Sequence, residues 1–217
     1  MTKLITVVLA ASLAAGFTTL VVAQDGGTGT KSAQKEKGEG KKDAKGAKAK
    51  VGEAAPNFTL KTTDGKEWSL SDAKGKVVVL EWMNPGCPIC REKVESGAVS
   101  KMMSDAKAIN PDVVFLFINS TAATAGNPKE SADYLAKNKV EATALIDGDG
   151  KVGHMYAAKT TPHCYVIGAD GNLAYDGAID DKGSTNYVVA AVKALKDGKA
   201  MSPATTKPYG CSVKYKK

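Results

Sequence analysis

Two cysteines stand at the junction between a predicted strand and a predicted helix. Residues 77–82 read VVVLEW, a continuous apolar run that is typical of a strand buried on both faces. A turn-rich loop follows, then Cys87-Pro88-Ile89-Cys90, and residues 91–108 have the composition of a helix. This order predicts a strand, loop and helix unit in which the cysteine pair opens the helix.

The start of a helix favours a reactive thiol. Its free N–H groups and the positive end of its dipole stabilise a thiolate at Cys87, and Pro88 fits the first turn because its missing N–H needs no partner there. Cys90 lies one turn further on the same face, within reach of a disulfide. We interpret Cys87 as the exposed nucleophile and Cys90 as the more buried resolving thiol. The alternatives are half of a zinc site, for which the sequence offers no second ligand pair, and an inert structural disulfide.

The remaining sequence alternates predicted strands and helices. The strand-forming stretches are short apolar runs bounded by turns: residues 57–60 and 67–70 around Asp64-Gly65, 113–119, 143–147, and 165–167 and 173–176 around Asp170-Gly171. One further helix is predicted from an N-cap at Asn127 to about residue 139, and another from Ser184 or Thr185 to about residue 196. The pattern predicts an α/β fold with a central mixed β-sheet flanked by helices and an N-terminal β-hairpin.

The N-terminus has a pattern typical of export. Lys3 precedes an apolar run that ends in small residues at Ala23, so residues 1–23 are predicted to be a secretory signal peptide. The alternative is an uncleaved anchor at residues 4–23, which is just long enough to span a bilayer. We therefore predict a periplasmic or extracellular location.

The positive charge lies mainly outside the predicted domain. Residues 24–50 hold no apolar side chain larger than alanine, which predicts a disordered Lys/Gly/Ala-rich linker. Its eight lysines and four acidic residues supply +4 of the formal charge of +7. The predicted domain at 51–197 is nearly neutral, and a tail at 198–217 carries Cys211 and three closely spaced lysines. Nucleic-acid binding is not predicted, and membrane contact is expected only through an uncleaved signal or weak attraction of the linker lysines to anionic lipid.

Three segments carry a family resemblance: VGEAAPNFTLKTTDGKEWSLSDAKGKVVVLEW, NPGCPIC and TTPHCYVIGADGNLAYDGAID. They resemble the thioredoxin-like redoxins of the alkyl-hydroperoxide-reductase and thiol-specific-antioxidant branch, over about residues 51–197. The resemblance implies a thioredoxin-like fold whose only redox group is the Cys87–Cys90 disulfide, with no cofactor and no metal. It also implies a cis peptide bond before Pro162, preceded by Thr161, that faces the cysteines and presents backbone to a substrate disulfide.

The resemblance leaves two reactions open. Peroxiredoxins carry Thr or Ser three residues before the cysteine and Pro seven before it, where this chain has Asn84 and Leu80, and they use a downstream arginine, whereas Arg91 is the only arginine here. These departures favour dithiol–disulfide exchange with protein substrates and an unidentified redox partner, in redox homeostasis. Reduction of hydroperoxides is the alternative.

Four other side chains are candidates for the site. Glu81 either transfers a proton to Cys90 or points outward at the strand end, and His163 is either a proton donor or an exposed strand-start residue. Cys164 is expected to be a small buried core residue. Cys211 pairs with Cys164 or serves as an additional resolving cysteine for Cys87. A copper-binding metallochaperone, with a histidine beside the cysteine pair, is the minor alternative.

Overall fold

The computed structural model describes residues 48–217, so the predicted signal peptide and residues 24–47 of the predicted linker lie outside the described residues. Within the described part the strands are β1 (Thr59–Thr62), β2 (Glu67–Ser69), β3 (Val78–Trp82), β4 (Val114–Asn119), β5 (Thr143–Ile146), β6 (Thr160–Thr161), β7 (His163–Ile167), β8 (Leu173–Gly177) and β9 (Cys211–Ser212). The helices there are α1 (Pro88–Glu95), α2 (Ala98–Ile109), α3 (Glu130–Lys137), α4 (Lys151–Met155) and α5 (Tyr187–Lys196). None of these helices has the length and apolar character needed to cross a membrane.

Seven of the strands form one mixed sheet in the order β2-β1-β5-β4-β3-β7-β8. Strand β3 lies near the middle, parallel to β4 and antiparallel to β7. Strands β1 and β2 pair antiparallel, as do β7 and β8, so both predicted hairpins are confirmed. The predicted α/β fold with a central mixed sheet and an N-terminal β-hairpin is therefore confirmed.

The two faces of β3 bury different sets of side chains because successive residues of a strand point to opposite sides. Val78, Leu80 and Trp82 join the apolar cluster on one face. Val79 joins the cluster on the other face, which also contains both cysteines of the pair and side chains from α1, α2 and α5. The same alternation puts Glu81 on the cysteine side of the sheet.

The segment predicted as one helix over residues 91–108 is two helices, α1 and α2. They are separated at Gly97, whose φ of +80° is in the left-handed region that glycine adopts without steric cost. The single-helix prediction was wrong because residue composition does not reveal a break at one residue. The break lets α1 carry the cysteine pair while α2 packs along α5.

Two predicted helix caps were also wrong. Helix α3 begins at Glu130, and Asn127 instead accepts a hydrogen bond from the Glu130 N–H at 3.3 Å, which closes a tight turn before the helix. Helix α5 is capped by Asn186, whose side chain accepts from the Val189 N–H at 3.0 Å. Several polar residues precede each helix, and only the backbone conformation selects which one caps it.

The chain after α5 packs back onto the molecule. Strand β9 pairs antiparallel with β6, which joins Thr161 to Cys211 and Thr160 to Ser212. Further along, the Tyr215 hydroxyl donates to the carbonyl oxygen of Ala158 at 2.7 Å. Residues beyond the predicted domain end at 197 thus form part of the surroundings of the cysteine pair.

Candidate active site

Cys87 occupies the N-cap of α1, and Pro88 is the first residue of the helix. The carbonyl oxygen of Cys87 accepts the Arg91 N–H at 2.9 Å, and the Cys87 N–H donates to the carbonyl of Asn84 at 2.9 Å. Asn84 is itself fixed, since its side chain accepts from the Gly86 N–H and donates to Thr121. The sulfur of Cys87 is therefore held at the positive end of the helix, where a thiolate is stabilised.

The two thiols of the pair have opposite acidities. A hydrogen bond from the Cys90 thiol, reinforced by weaker ones from Cys211 and Thr161, holds the pKa of Cys87 well below its ordinary value. The same hydrogen bond, together with burial and the nearby Glu81 carboxyl, raises the pKa of Cys90. This arrangement provides one nucleophilic thiolate and one protonated, fully buried partner.

Pro162 lies opposite the pair in the cis form, so the predicted cis peptide bond is confirmed. The carbonyl oxygen of Thr161, the residue before it, is 3.0 Å from the sulfur of Cys87. The Thr161 side chain is buried and reaches the carbonyl of Cys211 at 3.4 Å. Both residues predicted for the substrate groove thus adjoin the cysteine pair.

The prediction that Cys87 is exposed was wrong: only 2% of its surface is accessible. Cys211 lies beside it, since Cys211 pairs with Thr161, whose carbonyl oxygen is 3.0 Å from the sulfur of Cys87. All four cysteines are free thiols. Of the two sequence-based alternatives for Cys211, the structure places it against Cys87, whereas Cys164 lies within the sheet.

Glu81 is buried beneath the pair, and only 1% of its surface is accessible. One of its carboxylate oxygens, Oε2, has no hydrogen-bond partner. Burial raises the pKa of Glu81 to about 8, which makes it a carboxylic acid at neutral pH. The outward-pointing alternative for Glu81 is excluded, and the carboxyl lies where it interacts electrostatically with Cys90 and Cys164.

His163 is on the opposite side of β7 from the cysteine pair. Its ring bonds Asp176 at 2.7 Å, and its other nitrogen lies 3.2 Å from the Tyr165 hydroxyl. It is 3% exposed, so the expectation of an exposed strand-start residue was wrong, because β7 begins two residues earlier than predicted and its first side chain faces the apolar cluster that contains Trp82 and Tyr165. Cys164 is fully buried in the core, as predicted.

No group of three or more histidine, cysteine or acidic residues among residues 48–217 is arranged to hold a metal ion. His163, the histidine considered for copper, bonds Asp176 instead of facing Cys87 and Cys90. The geometry therefore gives the metallochaperone alternative no support.

Two aromatic residues near Cys211 were missed by the sequence analysis. The Tyr209 hydroxyl bonds the carboxylate of Asp180, which also forms a largely buried ion pair with Lys93 at 2.7 Å. Tyr215 stacks on His154 with ring centroids 4.0 Å apart. The available signal was the presence of large aromatic side chains in an otherwise polar tail, since such side chains are usually packed.

The fold is that of a thioredoxin-like protein. A solved structure of an uncharacterized conserved protein from Geobacillus kaustophilus superposes with a TM-score of 0.66 and 26% identity, covering 77% of this chain and 93% of that one. Residues 51–176 match the AhpC/TSA family, and the chain belongs to that family.

The similar curated proteins include some named for thiol–disulfide exchange and one named as a putative peroxiredoxin. The thioredoxin-like protein YneN of Bacillus subtilis is 30% identical over 120 residues, covering 55% of this chain and 66% of YneN. The thiol-disulfide oxidoreductase ResA of the same species is 25% identical, covering 56% of this chain and 64% of ResA. The putative peroxiredoxin bcp of Helicobacter pylori is 30% identical, covering 51% of this chain and 68% of bcp. The chain thus spans just under two thirds of the length of YneN and of ResA.

Proposed function

We propose that this chain is an exported thiol–disulfide oxidoreductase in which Cys87 is the nucleophile and Cys90 the resolving thiol. The observation that carries the proposal is the position of the pair: Cys87 at the N-cap of α1, 3.0 Å from the carbonyl oxygen before the cis Thr161–Pro162 bond, and Cys90 fully buried one turn on. The lowered pKa of Cys87 and the raised pKa of Cys90 agree with it. Thiol–disulfide exchange needs one thiolate that attacks the target disulfide and a second thiol that later resolves the mixed disulfide. Export rests on the sequence of residues 1–23.

The exchange proceeds in two steps that balance. The Cys87 thiolate attacks one sulfur of a target disulfide, and the other target sulfur leaves as a thiolate. Cys90 then loses its proton and attacks the Cys87 sulfur, which releases the target as a dithiol and leaves a Cys87–Cys90 disulfide. The target gains two electrons and the protein loses two, and the reverse sequence oxidises a target dithiol.

Glu81 is the group we assign to proton transfer at Cys90. With a pKa of about 8 it is protonated at neutral pH, so it can donate a proton to Cys90 when that sulfur leaves an opened disulfide. In the opposite direction its ionised form accepts the Cys90 proton. Burial on the same face of the sheet as Cys90 supports this role.

The test is a trap for the covalent intermediate. Cys90→Ser combined with Cys211→Ser leaves Cys87 without a neighbouring thiol, so incubation with insulin should accumulate a mixed disulfide visible by non-reducing electrophoresis and mass spectrometry. Cys87→Ser with Cys211→Ser is the matched control and should trap nothing. If the first variant also traps nothing, the proposed exchange is excluded.

Hydroperoxide reduction is the second candidate, favoured by one observation: only 2% of the surface of Cys87 is accessible. A hydroperoxide needs less space to reach such a sulfur than an extended protein segment does. The Arg91 side chain does not assist, since it pairs with Glu95 at 3.1 Å on the surface. Peroxide consumption that survives Cys90→Ser but not Cys87→Ser would favour this reaction over disulfide exchange.

A further inference from the structure

A short C-terminal segment lies on the backbone edge beside the cis peptide bond. We call residues 209–213 the C-terminal strap. Within it Cys211 pairs antiparallel with Thr161, and Ser212 with Thr160. This edge faces Cys87, and an extended substrate would add its own backbone to the same edge. The strap therefore takes the place of a bound substrate strand.

The strap also brings a sulfur to the nucleophile. Cys211 pairs with Thr161, whose carbonyl oxygen is 3.0 Å from the Cys87 sulfur, and Cys211 packs against the apolar cluster that contains Cys87. A substrate sulfur engaged in exchange would need the same place, beside the attacking thiolate at the helix N-terminus.

Contacts on both sides of Cys211 hold the strap in place. On one side the Tyr209 hydroxyl bonds Asp180, and the ring of Tyr209 lies beneath the ammonium group of Lys182 at 4.5 Å. On the other side the Val213 N–H donates to the carbonyl oxygen of Lys159 at 3.1 Å. The position of Cys211 is thus built by several independent contacts.

Gly210 permits the close approach. Its φ is +132°, and a Cβ there would lie 2.1 Å from the carbonyl oxygen of Thr161. Any larger residue would push the strap away from that edge. The sequence at this point is therefore compatible with the strap on the edge only because the residue is glycine.

We propose that Cys211 is a third redox-active cysteine and that the C-terminal strap acts as an internal substrate of the pair. The proposal rests on the proposed function, which supplies the Cys87–Cys90 disulfide. The Cys211 thiol loses its proton and attacks the Cys87 sulfur, so the Cys87–Cys90 bond breaks and a Cys87–Cys211 bond forms. Cys90 leaves as a thiolate and takes up a proton. The number of disulfides is unchanged, and no outside oxidant or reductant is needed.

The form with the Cys87–Cys211 disulfide closes the active site with the chain's own strap. In it Cys87 is held in a disulfide with the strap, and Cys90 is a free thiol. A target must displace the strap to reach Thr161, and the strap returns when the target leaves. The strap therefore sets how readily protein substrates gain access to Cys87.

The first test is disulfide mapping in Cys90→Ser. Trypsin places Cys87 in the peptide 77–91 and Cys211 in the peptide 200–214, because cleavage does not occur between Lys207 and Pro208. Oxidised glutathione should join these two peptides within one chain, with two glutathione thiols released per bond formed. A product that carries glutathione on Cys87 and a free Cys211 overturns the proposal.

Two variants serve as controls for the mapping. In the Cys90→Ser background, Cys164→Ala should leave the cross-link intact, because Cys164 is buried in the sheet. In the same background, Cys211→Ser should abolish the cross-link and leave glutathione on Cys87. A cross-link that depends on Cys164 overturns the proposal.

The second test moves the strap without removing its thiol. Gly210→Ala should raise the rate of Cys87 alkylation by iodoacetamide and lower the yield of the Cys87–Cys211 cross-link, each by about tenfold. Gly198→Ala is the matched control, since Gly198 also has a positive φ, of +65°, but open space around it. Equal effects of the two variants on Cys87 contradict the assigned position of the strap.

The failure of this proposal is separable from failure of the proposed function. Insulin reduction by the unmodified protein tests the Cys87–Cys90 pair, whereas the cross-link in Cys90→Ser tests Cys211. Retained insulin reduction without any cross-link in Cys90→Ser would overturn the role of Cys211 alone. Insulin reduction that is as fast in Cys87→Ser as in the unmodified protein would overturn the function itself.

Discussion

The chemistry of the site depends on three thiols and one carboxyl within a small volume. Cys90 and Cys211 each supply a hydrogen bond that favours the thiolate of Cys87, and Glu81 adds an unpaired carboxyl below Cys90. Cysteine spacing predicted the pair, and its position before a helix predicted the acidic member. The third thiol and the burial of Glu81 depend on where other parts of the chain lie.

The low pKa of Cys87 should depend most on Cys90. Cys90→Ala should raise the midpoint of the pH dependence of Cys87 alkylation more than Cys211→Ala does, because the Cys90 hydrogen bond is the larger cause of the shift. Cys164→Ala should leave the midpoint unchanged. Rates of iodoacetamide labelling between pH 4 and pH 9, followed by peptide mass spectrometry, measure it. A larger effect of Cys211→Ala would contradict the assignment.

Glu81 should make stability depend on pH. Its folded pKa of about 8 lies above the ordinary value of 4.5, so between these values the folded state holds a proton that the unfolded state has lost. The free energy of unfolding should therefore fall as pH rises from about 4.5 to 8, by on the order of a few kcal/mol.

Glu81→Gln removes that titration and should flatten the dependence in urea unfolding at pH 5 and pH 8.5. The exposed Glu141→Gln is the control and should keep the slope of the unmodified protein. If Glu81→Gln retains the full slope, another group is responsible.

The sequence predicted whether a segment is a helix or a strand better than it predicted the residues at which each helix begins and ends. The apolar runs of β3 and β4 and the Asp-Gly turns of the hairpins were recognisable because their patterns are local. The break at Gly97 and the N-caps of α3 and α5 were not, since several polar or small residues near each end satisfy the same rule. The backbone conformation that packing imposes decides among them.

The N-cap of α5 gives a direct test at this level. Asn186→Ala should reduce the free energy of unfolding by about 1 kcal/mol, because the Val189 N–H loses its acceptor. Ser184→Ala is the control, since Ser184 is exposed and lies outside the helix. Urea unfolding monitored by circular dichroism measures both variants, and an equal loss in Ser184→Ala would contradict the cap.

For the molecule as a whole, the redox state of the pair should be coupled to stability. A cysteine whose folded pKa is lowered stabilises the reduced fold above that pKa, increasingly as pH rises towards the ordinary value of 9.0, and loses this contribution as pH falls through the folded pKa. The oxidised protein lacks the thiolate and hence the contribution.

The melting temperature of the reduced protein, minus that of the oxidised protein, should therefore increase between pH 5 and pH 8. Calorimetry of both forms at each pH measures the difference, with Cys87→Ser as a control that should show none. A difference that stays constant or shrinks with rising pH would contradict the stabilised thiolate.

The class of fold and the identity of the redox pair follow from local sequence patterns. A buried strand, two cysteines at a helix start and Thr161-Pro162 before another strand are contiguous signals whose physical meaning depends on neighbours along the chain. The approach of Cys211 to Cys87, the burial of Cys87 and the inward direction of Glu81 were decided only by the folded chain. They depend on contacts between residues far apart in sequence, which the packing of the sheet, the helices and the C-terminal strap brings together.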